Sequence, residues 1–400
     1  MSNRVGSALD TANTRRPSVR EDYARIVVKA GTAMLTDGSD QLDIGVMTAL
    51  VGQIAGLHRQ GKEILLVSSG AVAAGRHAMG VAMHDHDLPL RQVLAAVGQG
   101  HLMHTYEQLF ASHKIVVAQA LLSRRDITDR LGYLNIRNTL LGLLDRGVVP
   151  IINENDVVAV EELRGEAFGD NDTLSALVAN LVDSDLLVML GEVEGLYTAD
   201  PHVDPDAELI PLVERLSKRY ILKVAGPSLD SKGRGGMTAK LEAARLATAS
   251  GVQVVVAGGK SPDALTRLAS GEAVGTLFPP TGSKMESRKR WMLSGLSSRA
   301  EIVVDVGAVR ALLGKSSSLL PAGITEVLGT FDRGDTISIL GPDRSQVACG
   351  ITSYGSKDVD KIKGHHSHRI GELAGSHYGD EVVHRNNMVI MQEGPDADRD

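Results

Sequence analysis

Residues 25–69, RIVVKAGTAMLTDGSDQLDIGVMTALVGQIAGLHRQGKEILLVSS, decide the architecture of this chain. The stretch opens on one β-branched run, RIVVK, and closes on another, EILLVSS. Between them, residues 43–60 carry apolar side chains at three- and four-residue steps, the spacing of a single helix face. Two strands joined by a helical crossover pair in parallel, because the helix packs back over the sheet. The unit recurs. Strand-like runs follow at 114–122 (KIVVAQALL), 148–155 (VVPIINEN), 185–190 (DLLVML) and 252–259 (VQVVVAGG), with helical periodicity at 91–112, 135–146, 172–183 and 237–250. The expected fold is α/β, an open, mainly parallel sheet sandwiched by helices.

After GTLFPPTGSKMESRKRW (275–291) the rhythm changes. Helical segments shrink, Gly-containing turns multiply, and GITEVLGTFDRGDTISIL (323–340) reads as strand, turn, strand. A small β-rich domain is therefore expected after a Pro- and Gly-containing linker. The division expected is a flexible leader at 1–23, an α/β domain at 24–278, a linker at 279–290, a β-rich domain at 291–392 and a tail at 393–400. Four hundred residues suit two domains. The single cysteine, Cys349, cannot form an intramolecular disulfide, and the polar first twenty residues resemble no signal peptide, so a cytoplasmic protein is expected. No run approaches the roughly 20 apolar residues of a membrane-spanning helix, so no membrane partner is expected. The net charge of −7 is mild and the signs are interspersed. Residues 280–400 hold fifteen Lys/Arg against sixteen Asp/Glu, without the basic excess that strong nucleic-acid binding requires.

Three strand ends and one helix start carry chemistry. In VVKAGTAMLT (27–36), Lys29 ends a strand and Gly31 follows, a setting in which backbone N–H groups and an ammonium can approach phosphate. A solvated lysine at an ordinary turn is the alternative. LVSSGAVAAGR (66–76) places Ser68, Ser69 and Gly70 at a second strand end, where serine could equally cap a helix. GRGGMTAKLEAARLATASG (233–251) sets three glycines before a helix, so first-turn N–H groups and dipole favour an anion, with Lys240 just inside. It lacks P-loop spacing. NENDVVAVEELRGEAFGDND (153–172) brings Asn153, Asn155 and Asp156 to the end of the fourth strand. Residues 159–169 read as a hairpin excursion, and Asp170, Asn171 and Asp172 follow at a helix start, where capping would need only one of them.

Together with VLAAVGQG (93–100), GLYTADP (195–201) and SSLLPAGI (317–324), these motifs occur in the order of the glutamate 5-kinase family, which the chain resembles from about 25 to 390. The resemblance implies an amino-acid kinase domain followed by a C-terminal PUA domain, and transfer of phosphate from ATP to the γ-carboxylate of L-glutamate in proline biosynthesis. It assigns Lys29, Lys240 and Asp172 to catalysis and Ser69, Asp156 and Asn171 to glutamate. ATP would meet Lys29, Gly191, Glu192 and the segment Arg234, Gly235, Gly236, Met237, Thr238, Ala239 and Lys240. Gly191-Glu192 stands where the family usually has Thr-Asp, and Ala33 where serine is common. Mg²⁺ would arrive with ATP, and no protein metal site is expected. A homo-oligomer and feedback inhibition by proline are further expectations. An ionised glutamate side chain, with a pKa of about 4.3, needs no general base, and no His or Cys base stands among these motifs.

Two other local signals carry no site. His365, His366 and His368 in KGHHSHRIGE lack the ligand set of a zinc site. The basic run ESRKRW (286–291) reads as solvated linker rather than as a nucleic-acid patch.

Overall fold

The computed structural model describes residues 23–39, 41–81, 88–158, 171–217, 220–221, 236–284, 296–315 and 317–391. Seven strands form one sheet: β1 (Arg25–Ala30), β2 (Glu63–Ser68), β3 (Val117–Leu122), β4 (Val149–Glu154), β5 (Leu186–Gly191), β6 (Gln253–Gly258) and β7 (Thr276–Phe278). Their order is β3-β4-β2-β1-β5-β6-β7. Every pairing is parallel except β6 with β7. Ile26, Val27 and Val28 of the central strand are all buried, which explains why β1 reads as a continuous apolar run rather than an alternating one. β7 has three residues, too few to show a period in the sequence.

Helices cover both faces. On one, α1 (Thr32–Leu35), α2 (Ile44–Arg59), α4 (Leu88–Ala111) and the short α9 (Ala264–Ala269) pack on the sheet. On the other lie α6 (Arg130–Leu144), α7 (Asn171–Leu181) and α8 (Met237–Ala249). α3 (Ala71–Met79) follows β2, and α5 (Arg124–Thr128) follows β3. Side-chain caps set the boundaries: Asp43 accepts from the Val46 N–H to start α2, and Asp129 accepts from the Gly132 N–H to start α6. α6 thus begins five residues before the periodicity suggested, because its first turn, RLGY, carries little apolar pattern. β3 begins at Val117, later than the run KIVVAQALL implied, since Lys114 adopts the left-handed backbone region (φ 60°).

β1 is the switch point of the topology. β2, β4 and β3 extend to one side of it and β5 and β6 to the other, so a crevice opens at the C-terminal ends of β1 and β5.

A second sheet contains β8 (Leu296–Val304), β9 (Ile324–Leu328), β10 (Thr336–Leu340), β11 (Gln346–Ile351) and β12 (Met388–Ile390), in the order β12-β11-β10-β8-β9. Residues 323–340 do contain two strands, but they are not neighbours: β8 lies between them, antiparallel to β9 and parallel to β10. Local turn chemistry could not disclose that insertion, because β8 comes from another part of the chain. Helices α10 (Val306–Lys315), α11 (Ser356–Ile362) and α12 (Ile370–Ala374) accompany this sheet, which has its own apolar core around Ile302, Ile337, Ile339 and Val359. It rests on α6 of the first unit, where Arg333 Nη2 donates to Asn135 Oδ1 at 2.7 Å and Asn387 Nδ2 to Asn138 Oδ1 at 3.0 Å. The expected excursion at 159–169 lies outside the described residues.

Candidate active site

Lys29 emerges at the end of β1 with only 4% of its surface exposed, and Asp172, in the first turn of α7, is fully buried. Buried charges of this kind must be paired. Lys29 Nζ lies 2.6 Å from Asp172 Oδ1, and Lys240 Nζ, from the first turn of α8, lies 3.2 Å from Oδ2. One carboxylate therefore holds two ammonium groups from two separate elements. Burial is the largest single influence on the Asp172 carboxyl and pushes its pKa up. The fields and hydrogen bonds of Lys29 and Lys240 together outweigh it and hold the group below the ordinary carboxylate range. Asp172 is ionised at neutral pH, and the trio carries a net positive charge.

Space around the lysines is kept by glycines. A Cβ at Gly31 would stand 3.2 Å from Lys29 Nζ, and one at Gly191 would meet the Lys240 stem, 3.4 Å from Cε. α8 starts at Gly236, which has no side-chain cap, so its first-turn N–H groups and dipole face the same region as Lys240. Met237, Thr238 and Ala239 form the first turn with Lys240, whereas Arg234 and Gly235 lie outside the described residues. Glu192 is exposed just past the end of β5.

Asn171, beside Asp172, donates through Nδ2 to Ser69 Oγ at 2.8 Å and to Asn153 Oδ1 at 3.0 Å. The sequence-derived residues Lys29, Ser69, Asn171, Asp172 and Lys240 thus converge at the ends of β1, β2, α7 and α8. Asp156 stands just beyond β4, and its backbone carbonyl accepts from Gln92 Nε2 at 3.2 Å. Two residues that motif reading did not assign also enter here. Asn153 and Gln99 are both buried, and Asn153 Nδ2 donates to Gln99 Oε1 at 2.8 Å. The signal available was a glutamine among small apolar residues in VLAAVGQG, a side chain too polar to be buried without a partner.

A positively charged trio at the switch-point crevice, next to an uncapped helix N-terminus, can cradle phosphate and neutralise charge developing on a transferred phosphoryl group, which defines a phosphotransferase of the α/β class. Comparison with known proteins agrees with that class. The Amino acid kinase family model matches residues 24–258 and the PUA domain model matches residues 300–373. The chain is 50% identical over 369 residues to the glutamate 5-kinase of Dehalococcoides mccartyi, covering 92% of this chain and 99% of the relative. It is 50% identical over 372 residues to that of Herpetosiphon aurantiacus, covering 93% and 100%. With that of Deinococcus radiodurans it shares 47% over 367 residues, covering 92% and 100%. The chain belongs to the amino acid kinase family and, within it, to the glutamate 5-kinases, with a C-terminal PUA domain.

Proposed function

We propose that this protein transfers the γ-phosphoryl group of ATP to the γ-carboxylate of L-glutamate, producing L-glutamyl 5-phosphate for proline biosynthesis. The observation that carries the mechanism is the pairing of Lys29 and Lys240 on the two oxygens of buried Asp172. Positioning and electrostatics supply nearly all of the catalysis in phosphoryl transfer. Asp172 sets both ammonium groups before substrate arrives, so little reorganisation is needed as charge builds on the phosphoryl oxygens. The acceptor carboxylate attacks in line: its oxygen forms the new bond to phosphorus while the bond to the β–γ bridging oxygen breaks, and ADP carries away the electron pair. The attacking group is already ionised, so no proton is moved and no base is required.

Ser69, Asn171 and Asp156 are the proposed glutamate contacts, with Asp156 facing the α-ammonium. Lys29, Gly191, Glu192 and the segment from Arg234 to Lys240 are the proposed ATP contacts. Both Asp172 oxygens face lysines, so this carboxylate is poorly placed to ligate a cation. The Mg²⁺ that accompanies ATP would be held chiefly by phosphate oxygens and water, and it supplies further neutralisation of phosphate charge. We assign 24–278 to the kinase domain and 291–392 to the PUA domain, joined by 279–290, with 393–400 and the expected leader outside both, except for Tyr23. That residue, the last of the expected leader, is buried in the core of the kinase domain and accepts from Gln253 Nε2 at 2.7 Å. Proline as feedback inhibitor, homo-oligomeric assembly and a cytoplasmic location belong to the same proposal. Among the described residues no helix is long and apolar enough to cross a membrane.

The test is hydroxylamine trapping with ATP, Mg²⁺ and L-glutamate, which should yield the γ-hydroxamate. Preference for aspartate, N-acetylglutamate or UMP as acceptor would replace this reading with that of another amino acid kinase.

A further inference from the structure

A chain of side-chain amides runs beside the crevice, and one backbone group sets its polarity. The Glu154 N–H can only donate, so the Asn153 atom that it meets at 2.9 Å is the carbonyl Oδ1. Asn153 Nδ2 consequently faces the other way, toward Gln99 Oε1 at 2.8 Å. The same Oδ1 accepts from Asn171 Nδ2 at 3.0 Å, and the second proton of that Nδ2 goes to Ser69 Oγ at 2.8 Å. Ser69 therefore acts as an acceptor within the chain and keeps its own proton for a different group. Among the described residues none is seen to take it, and Asn171 Oδ1 likewise lacks a hydrogen-bond partner there. Among the described residues the network is not closed, and it ends in a donor at the crevice.

Gln99 is its far anchor. It sits on α4, which is locked against α3 at a close crossing: a Cβ at Gly98 would stand 1.8 Å from the Ala71 carbonyl oxygen, and one at Gly75 1.9 Å from that of Leu94. α3 follows directly from Ser69 and Gly70, so the helix that carries Gln99 is tied to the strand end that carries Ser69. One heptad earlier on α4, Gln92 Nε2 donates to the backbone carbonyls of Asp156 and Val157, each at 3.2 Å. α4 thus holds the segment that leaves β4 at two points.

We propose that Gln99 is a positioning residue of the phosphorylation reaction: through Asn153 and Asn171 it holds the Ser69 hydroxyl as a hydrogen-bond donor to a carboxylate of the amino-acid substrate. The inference rests on the glutamate-phosphorylating reading above. Removing the Gln99 acceptor leaves the buried Asn153 Nδ2 without its partner while the Glu154 N–H still holds Oδ1, so Asn153 is less firmly placed and the Asn171 amide that fixes the Ser69 proton shifts with it. A hydrogen bond to a charged group is thereby weakened, and the loss falls on binding of the acceptor rather than on ATP.

The test compares wild type with Gln99→Met, Ser69→Ala and the double variant, using the hydroxamate assay and thermal melting. Gln99→Met should raise the KM for glutamate about tenfold, with the KM for ATP and kcat within about twofold. Its effect should shrink below about twofold when Ser69 is already alanine, because both changes remove the same interaction. Gln99→Leu takes its place if the methionine variant melts below the assay temperature. An unchanged glutamate KM, an equal rise in both KM values, or full multiplication of the two single effects would overturn the proposal and leave the kinase reading intact. Absence of glutamate phosphorylation by the wild type would overturn both.

Discussion

Lys29 Nζ stands 2.6 Å from Asp172 Oδ1, joining the end of the central strand to the first turn of α7. Because Lys240 shares the other oxygen, removing it leaves Asp172 paired with Lys29 rather than isolated in the interior. Lys240→Ala is therefore expected to lower kcat by roughly a thousandfold or more, the scale on which a transition-state donor acts. The melting curve should stay close to that of wild type. Near-normal kcat in the purified variant would remove Lys240 from the catalytic machinery.

Asp156 is proposed to face the substrate's α-ammonium. Asp156→Asn keeps the size of the side chain and deletes its charge, so glutamate binding should weaken by roughly tenfold or more while ATP binding changes little. Steady-state KM values for the two substrates decide it. Equal changes in both would mean that the residue supports the loop rather than the ligand.

The crossing of α3 and α4 leaves no room at Gly98, where an added Cβ would also lie 2.3 Å from the Gly75 nitrogen. Gly98→Ala must push the helices apart, at a cost of about 1–3 kcal/mol typical of overpacked cores. Calorimetric melting should show a lower midpoint. Gln99 is the next residue, so the glutamate KM should rise as well; a variant as stable as wild type would show that the helices can separate freely.

His384 lies on the side of the second sheet that meets α6. Burial lowers its pKa most, opposed by Glu381 and Asp145 and aided by Arg385 and Arg137. Its Nδ1 also accepts from the Asn386 N–H at 3.1 Å, which requires that nitrogen to be unprotonated. A histidine in the unfolded chain titrates near pH 6.5, above the folded value, so between the two the unfolded state binds more protons. Stability from this group is complete above about pH 6.5 and falls as the pH drops below it. His384→Asn keeps a capping acceptor and removes the titration, so its melting midpoint should decline less than that of wild type between pH 7.5 and 5.5. Parallel pH profiles would count against this assignment.

Much of the architecture could be read from local pattern. Ile26 to Val28 and Leu186 to Leu190 announce strands buried on both faces, and α2 and α8 repeat apolar residues at helical spacing. Lys29, Asp172 and Lys240 were marked by strand ends and helix starts, because short-range rules govern where such residues sit. Other features were silent. The buried Gln99 and Asn153 belong to different elements, and neither flanking sequence says that they meet. β8 separates β9 from β10 although only residues 329–335 lie between those two strands in the sequence.

The sequence by itself determined the alternation of strands and helices, the second β-rich unit and the residue types available to bind phosphate, since these follow from periodicity and backbone preference over a few residues. The family resemblance already set Asp172 between the two lysines; only the tertiary structure decided that each lysine takes a different oxygen of that one buried carboxylate and that Gln99 anchors the amides leading to Ser69. That choice depends on which side chains are removed from water together. A buried charge or amide must find its partner wherever packing brings one within hydrogen-bond reach, at separations that no local pattern records.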